Sequence, residues 1–299
     1  MHSKTQKLVV RVLCALLILL LVLGIAVPAF ADAPSARVVV GADLTGEQIA
    51  QVYANLGIAR GSVGELTLTN AEERSVLQGF VSDEQLGTRS VSCVYFELLP
   101  SGSGLDVTVS NVNWASRDMI IQALCTAGIT DARVIVTAPF PVSGTAALVG
   151  VYKAYADITG SAMDENMTDA GTQELTTTGE LSQALGTAET NQIIGEVKDR
   201  AAELGGLSDE ELNRRINEIA AKFHVRLSDY QVGMLRDLCR SFSKLNPENL
   251  KKSAESARQT LETVKENGEK AVGFFQRLGE TMQKIAGFLE RIANFFSGE

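Results

Sequence analysis

Short apolar runs and helical stripes alternate through the first half of the chain, and a polar gap separates them from a second half with helical periods only. Arg37 to Ala42 (RVVVGA) reads as a buried strand. Thr45-Gly46-Glu47-Gln48 has the form of a capping box, and Ile49, Val52, Tyr53 and Leu56 then mark one helical face that Gly57 closes. Leu66 and Leu68 alternate with Thr67 and Thr69 as a half-wet strand. Asn70-Ala71-Glu72-Glu73 caps a helix burying Val76, Leu77 and Phe80.

Ser90 to Leu99 is apolar on both sides, as a central strand should be, and Pro100 to Gly104 reads as a hairpin turn into the alternating Leu105, Val107 and Val109. Those two strands are expected to pair antiparallel. Ser116 to Gly128 is a helix with Ile120, Leu124 and Ala127 inward. Val134 to Val136 is a buried strand stopped by Pro139 and Pro141. From Gly144 a largely buried helix carries Leu148, Val151, Tyr152 and Tyr155 on one stripe. The order β-α-β-α-β-β-α-β-α predicts an α/β (α+β) domain over residues 32–160, a mixed sheet of about five strands with packed helices.

Residues 161–180 show no sustained apolar period and read as an exposed linker. Asp164, Asn166 and Thr168 imitate a calcium loop, but Asp169 stands where its glycine belongs and Leu175 where its glutamate belongs, so that reading fails. An all-helical region, 181–299, follows: Leu181 to Leu204, a helix opened by Ser208, one opened by Ser228, and a long amphipathic helix over 247–297 capped by Asn246-Pro247. That last helix carries a heptad, coiled-coil-like seam from Leu250 through Ala257, Leu261 and Val264 to Phe296, with a break expected at Gly268. Beyond the break Phe274, Phe275, Leu278, Met282, Ile285, Phe288, Leu289, Ile292, Phe295 and Phe296 widen it into an apolar face suited to packing, self-association or a membrane surface.

Composition changes the picture at the N-terminus. Lys4, Lys7 and Arg11 precede the apolar stretch Val12 to Val27 and an Ala29-Phe30-Ala31 cleavage site, so residues 1–31 read as an export signal peptide, with an uncleaved membrane anchor as the alternative. Cys14 lacks the small preceding residue of a lipid-attachment site. The signal holds three of the 27 basic residues and none of the 36 acidic ones, so the remainder carries 24 against 36, a net −12. Nucleic acid is an unsuitable partner for such a chain. Cys93, Cys125 and Cys239 are too few for a disulfide framework and read as buried free thiols, with a Cys93–Cys125 bridge as the alternative.

Strands that each precede a helix tend to run parallel and gather their following loops at one sheet edge, where open α/β sheets bind ligands. Asp43, Thr45, Asn70, Asn111, Asn113, Ser143 and Thr145 are expected there, as a polar crevice for a carbohydrate, peptide or anionic envelope component, or as caps and turn formers with local duties. His2 leaves with the signal and His224 lies between two helices, far in sequence from Ser143, so nucleophile–histidine chemistry is not expected. No H-E-x-x-H or C-x-x-C spacing supplies a zinc site, so neither a metal nor another cofactor is expected. A carboxylate pair such as Asp43 with Glu72 or Glu97 keeps glycoside hydrolysis open.

The motifs GADLTGEQ (41–48), TNAEE (69–73), LGTRSVSCVYFE (86–97), GSGLDVTVSNVN (102–113) and ALCTAGITDARVIVTAPFPVSGTAAL (123–148), with the following YKAY, resemble the YpuA-like family of exported Firmicutes proteins, a domain of unknown function. The resemblance covers about residues 36–160 and extends to the helices from Ser208 to Leu245. It implies a secreted or cell-envelope protein and brings no established reaction or catalytic residues. In that family Cys93 and Cys125 fall where small residues such as Ser or Thr are expected, which argues against a structural bridge. The favoured reading is an exported, non-catalytic binding or interaction module. Its partner would be an envelope polymer, a membrane surface, a protein or a second copy; the alternative is a carboxylate-dependent envelope hydrolase.

Overall fold

The computed structural model of the chain describes residues 35–268. The signal segment and the apolar face from Phe274 to Phe296 lie outside them. Five strands, β1 (Ala36–Gly41), β2 (Gly64–Leu68), β3 (Cys93–Leu98), β4 (Leu105–Val109) and β5 (Ala132–Thr137), form one mixed sheet in the order β2-β1-β3-β5-β4. β1 runs parallel to β2 and β4 to β5, while β3 is antiparallel to both of its neighbours, β1 and β5. Four strands therefore point one way and the central one is reversed. The expected α/β class holds.

Helices cover both faces. α1 (Gly46–Leu56) buries Val52, Tyr53 and Leu56 against Val38, Val40 and Cys93. On the other face α4 (Arg117–Thr126) and α5 (Ala146–Thr159) pack Ile120, Leu124, Leu148 and Val151 against Val39, Val94, Phe96, Val134 and Val136. α2 (Asn70–Leu77) and the one-turn α3 (Asp83–Leu86) complete this half. Cys93 and Cys125 belong to cores on opposite faces of the sheet, and both are free thiols, as is Cys239.

The expected hairpin is absent: β5 lies between β3 and β4. Burial explains the insertion. β5 is apolar on both faces, with Val134 and Val136 toward one core and Ile135 toward the other, whereas β4 exposes Asp106 and Thr108 and so belongs at an edge. The loop Pro100–Gly104 steps across the entry of β5, where Asp131 accepts the Gly104 N–H at 2.9 Å and its carbonyl accepts that of Leu99 at 3.0 Å.

Residues 161–180 are not an exposed linker. Most of them form α6 (Glu165–Leu185), which buries Ala170, Leu175, four threonines and two glycines between α4 and the helices that follow. Its inward face is small and hydroxylated instead of aliphatic, which hides the apolar period. Asp164, the start of the apparent calcium loop, caps this helix through the Met167 N–H. The predicted helix from Leu181 to Leu204 is divided at Gly186 and Arg200, so α7 spans Thr187–Asp199 and α8 Ala201–Leu204. α9 (Asp209–Lys222) and α10 (Asp229–Ser243) start at the expected caps Ser208 and Ser228. Ile193, Val197, Ile216, Leu235 and Phe242 form their shared core.

The final described helix, α11 over 247–268, is capped by Asn246, whose Oδ1 accepts the Glu248 N–H at 2.9 Å. Its seam turns inward: Leu250 joins the helical core, while Ala257, Leu261 and Val264 pack on the α/β core. No helix among the described residues is long and apolar enough to cross a membrane, and none of their His, Cys, Asp and Glu side chains group as a metal site.

Candidate functional site

The shared direction of β1, β2, β4 and β5 brings their carboxyl ends to one edge, so the loops carrying all seven candidate residues meet there. Backbone closeness fixes how they meet. A Cβ on Gly41 would stand 2.4 Å from the Ser90 carbonyl oxygen, so the 87–91 segment lies directly on the end of β1. Asp43 clamps it twice: its N–H donates to the Ser90 carbonyl at 3.1 Å and its carboxylate accepts the Ser90 N–H at 2.7 Å. The Asp43 carbonyl in turn accepts Arg89 Nη2 at 2.8 Å.

A second clamp joins the loops after β4 and β5. Val112 bridges Val142, Asn113 N–H donates to the Val142 carbonyl at 2.9 Å and Ala115 N–H to that of Ser143 at 2.9 Å. Gly144, at φ +85°, has Val112 Cγ1 2.4 Å from the position of a Cβ, so this crossing requires glycine. Asn111 stands in the left-handed region at φ 55° and donates Nδ2 to the Ala138 carbonyl at 2.7 Å.

Between the clamps lies an open groove of about 600 Å³ lined by Ser82, Leu86, Gly87, Arg89, Val91, Asn113, Trp114, Ser143 and Gln183. Of the seven candidates, Asn113 and Ser143 reach it. Asp43 stands behind Arg89 and holds it. Thr45 caps α1, Asn111 fixes its turn, and Thr145 is buried with its hydroxyl 3.3 Å from that of Ser143. Asn70 is not the cap of α2. Thr69 is, in a capping box with Glu72, while Asn70 bonds Glu73 and Arg74. Arg89, Trp114 and Gln183 escaped the sequence reading. Arg89 and Trp114 sit in irregular loops where no alternation, cap or helical spacing marks a side chain's direction, and Gln183 comes from α6, whose threonine-rich start carries no apolar period.

Neither carboxylate pairing expected from the sequence forms. Glu97 lies at the opposite end of β3, beside Arg133, and Glu72 is bound by Lys153 and by its capping box. The carboxylate that comes close to Asp43 is Glu73, which accepts the Ser90 hydroxyl. Glu73 is 2% exposed, and burial, with the Asp43 and Glu72 charges nearby, raises its carboxyl above the usual range. The Lys153 ammonium and the Thr69 cap lower Glu72 to about 2.

Two adjacent glutamates should therefore act oppositely in acid. Glu72 contributes stability above its ordinary pKa of 4.5 that is lost as pH falls toward about 2. Glu73 favours the fold when protonated, and that contribution is lost as pH rises through its raised folded value. Glu72→Gln is expected to flatten the acid loss of stability and Glu73→Gln to steepen it, as melting temperatures measured from pH 7 to 2 will show.

A family model described as "Protein of unknown function (DUF1002)" matches residues 40–260, a range that runs from the end of β1 through β2 to β5, the groove and the helical core. The chain belongs to the DUF1002 family. It is 34% identical over 236 residues to the uncharacterized protein YpuA of Bacillus subtilis (strain 168), covering 78% of this chain and 80% of that protein. No solved structure matches.

Proposed function

We propose that this member of the DUF1002 family is an exported, non-catalytic envelope protein that binds a polar, anionic ligand in the groove at the carboxyl edge of the sheet. The observation that carries this reading is the lining itself. One guanidinium, held in place by the Asp43 carbonyl, faces the same groove as an indole, two carboxamides and two serine residues. Arg89 supplies a planar donor set for a carboxylate or phosphate, Asn113 and Gln183 suit amide or hydroxyl patterns, and Trp114 offers an apolar wall. Export is supported by the basic, apolar and A-x-A order of residues 1–31. The hydrolase alternative is the weaker one, because Glu73, the carboxylate close to Asp43, is buried against Ser90 and the groove lining holds no Asp or Glu.

Trp114 is the chain's single tryptophan, so its fluorescence reports on this groove and on the α6 face against which the indole packs. Titration with muropeptides and acidic disaccharides is expected to give a saturable change, and Arg89→Ala to weaken binding about tenfold, or ~1.4 kcal/mol. Absence of any saturable change with these probes would refute the binding role. Release of reducing ends or peptides from peptidoglycan would favour the hydrolase instead.

A further inference from the structure

We propose that α11 is a releasable strap whose lifting uncovers a polar site centred on Lys198, Glu174 and Thr126. Its grip on the body is slight. The inner face offers Leu250, Ala254, Ala257, Leu261 and Val264, two of them alanines, and the buried Ser253 and Thr260 interrupt them. Open grooves of about 160, 320, 420 and 530 Å³ run between this helix and the body, from Asp131 and Gly104 at one end to Pro247 at the other. A helix belonging to a close-packed core leaves few such voids.

Beneath the strap the Lys198 ammonium donates to both Glu174 oxygens at 3.0 Å and to Thr126 Oγ1 at 2.6 Å. Lys198 and Glu174 share a groove wall with Ala254, Ala257 and Leu261. Burying two charges forfeits their hydration, and lifting the strap restores it. Opening thus recovers part of what it loses in apolar contact, which is the condition for a two-state element. On the rim Arg258 Nη2 meets both Asp199 oxygens at 2.8 and 2.7 Å, an exposed clasp that salt screens.

The chain carries its own reporter. Cys125 lines a groove under the strap with Ser253 and Ser256, whereas Cys93 lies under α1 on the other face of the sheet and Cys239 in the helical core. In the closed state burial raises the Cys125 thiol to about 12 and keeps it unreactive. A pulse of iodoacetamide on the full chain at neutral pH, followed by peptide mass spectrometry, is expected to modify Cys125 at least tenfold faster than Cys93 or Cys239. Leu261→Asp should raise the Cys125 rate a further tenfold and leave Cys239 unchanged. The apolar pair Lys198→Met with Glu174→Leu should lower the Cys125 rate, since no hydration is then regained. A common rate for the three thiols, or a joint rise in Leu261→Asp, would mean that α11 opens only with the whole fold and would overturn the strap. An unchanged Cys125 rate in the double variant would overturn the part assigned to the ion pair.

Discussion

Replacing Lys198 with alanine should cost about 3–5 kcal/mol of folding stability, because it strands a buried carboxylate. Glu174 is 1% exposed, and its ammonium partner, 5% exposed, supplies hydrogen bonds to both oxygens while resting 5.3 Å from the centre of the Phe242 ring. Thr126 donates to Glu174 and accepts from Lys198, and a neutral hydroxyl cannot neutralise the charge. The two charges join α6 to α7, and Thr126 ties both to α4, so the loss falls on the contact between the α/β and helical halves. Lys198→Met combined with Glu174→Leu should recover most of the loss, since a buried ion pair exchanged for apolar groups is often neutral or better. Urea unfolding checks both. A Lys198→Ala midpoint equal to that of the unaltered chain would show that the pair is solvated.

The second large effect is expected at the glycines of α6. A Cβ on Gly171 would stand 2.6 Å from the Ala123 carbonyl oxygen, and one on Gly179 would stand 2.2 Å from Trp114 Cζ2. Alanine is the better helix former by about 1 kcal/mol. Overpacking of about 1–3 kcal/mol opposes that gain, and at Gly171 the obstacle is backbone of α4, which cannot turn aside. Gly171→Ala should therefore destabilise by about 1–2 kcal/mol. Gly179→Ala should also shift the fluorescence of Trp114. Gly195, on α7, has nothing within 4 Å of its Cβ position, so Gly195→Ala should stabilise the chain by up to about 1 kcal/mol. Parallel thermal melts of the three variants separate close packing from helix propensity.

Much of the candidate site was legible as a location and little of it as a set of side chains. Strands followed by helices predicted that Asp43, Asn113 and Ser143 would share a sheet edge, and they do. Their duties differ, however. Asp43 holds Arg89 and Ser90, while Arg89 and Trp114, whose directions no local pattern marks, line the groove with Asn113 and Ser143.

What the sequence determined by itself was local: the strands, the caps at Thr45, Ser116, Ser208, Ser228 and Asn246, and the seam from Leu250 to Val264. Each depends on residues within a few positions, through alternation, capping hydrogen bonds or helical spacing. Only the tertiary structure decided that β5 enters between β3 and β4, that the threonine- and glycine-rich stretch from Glu165 is a buried helix, and that Glu73 takes the place beside Asp43. In each case the deciding energy lies in a partner distant in the chain. β5 gains apolar cover on both faces, α6 gains close approach to α4 where small side chains permit it, and Glu73 gains the Ser90 hydroxyl, and none of these gains leaves a period in the segment that receives it.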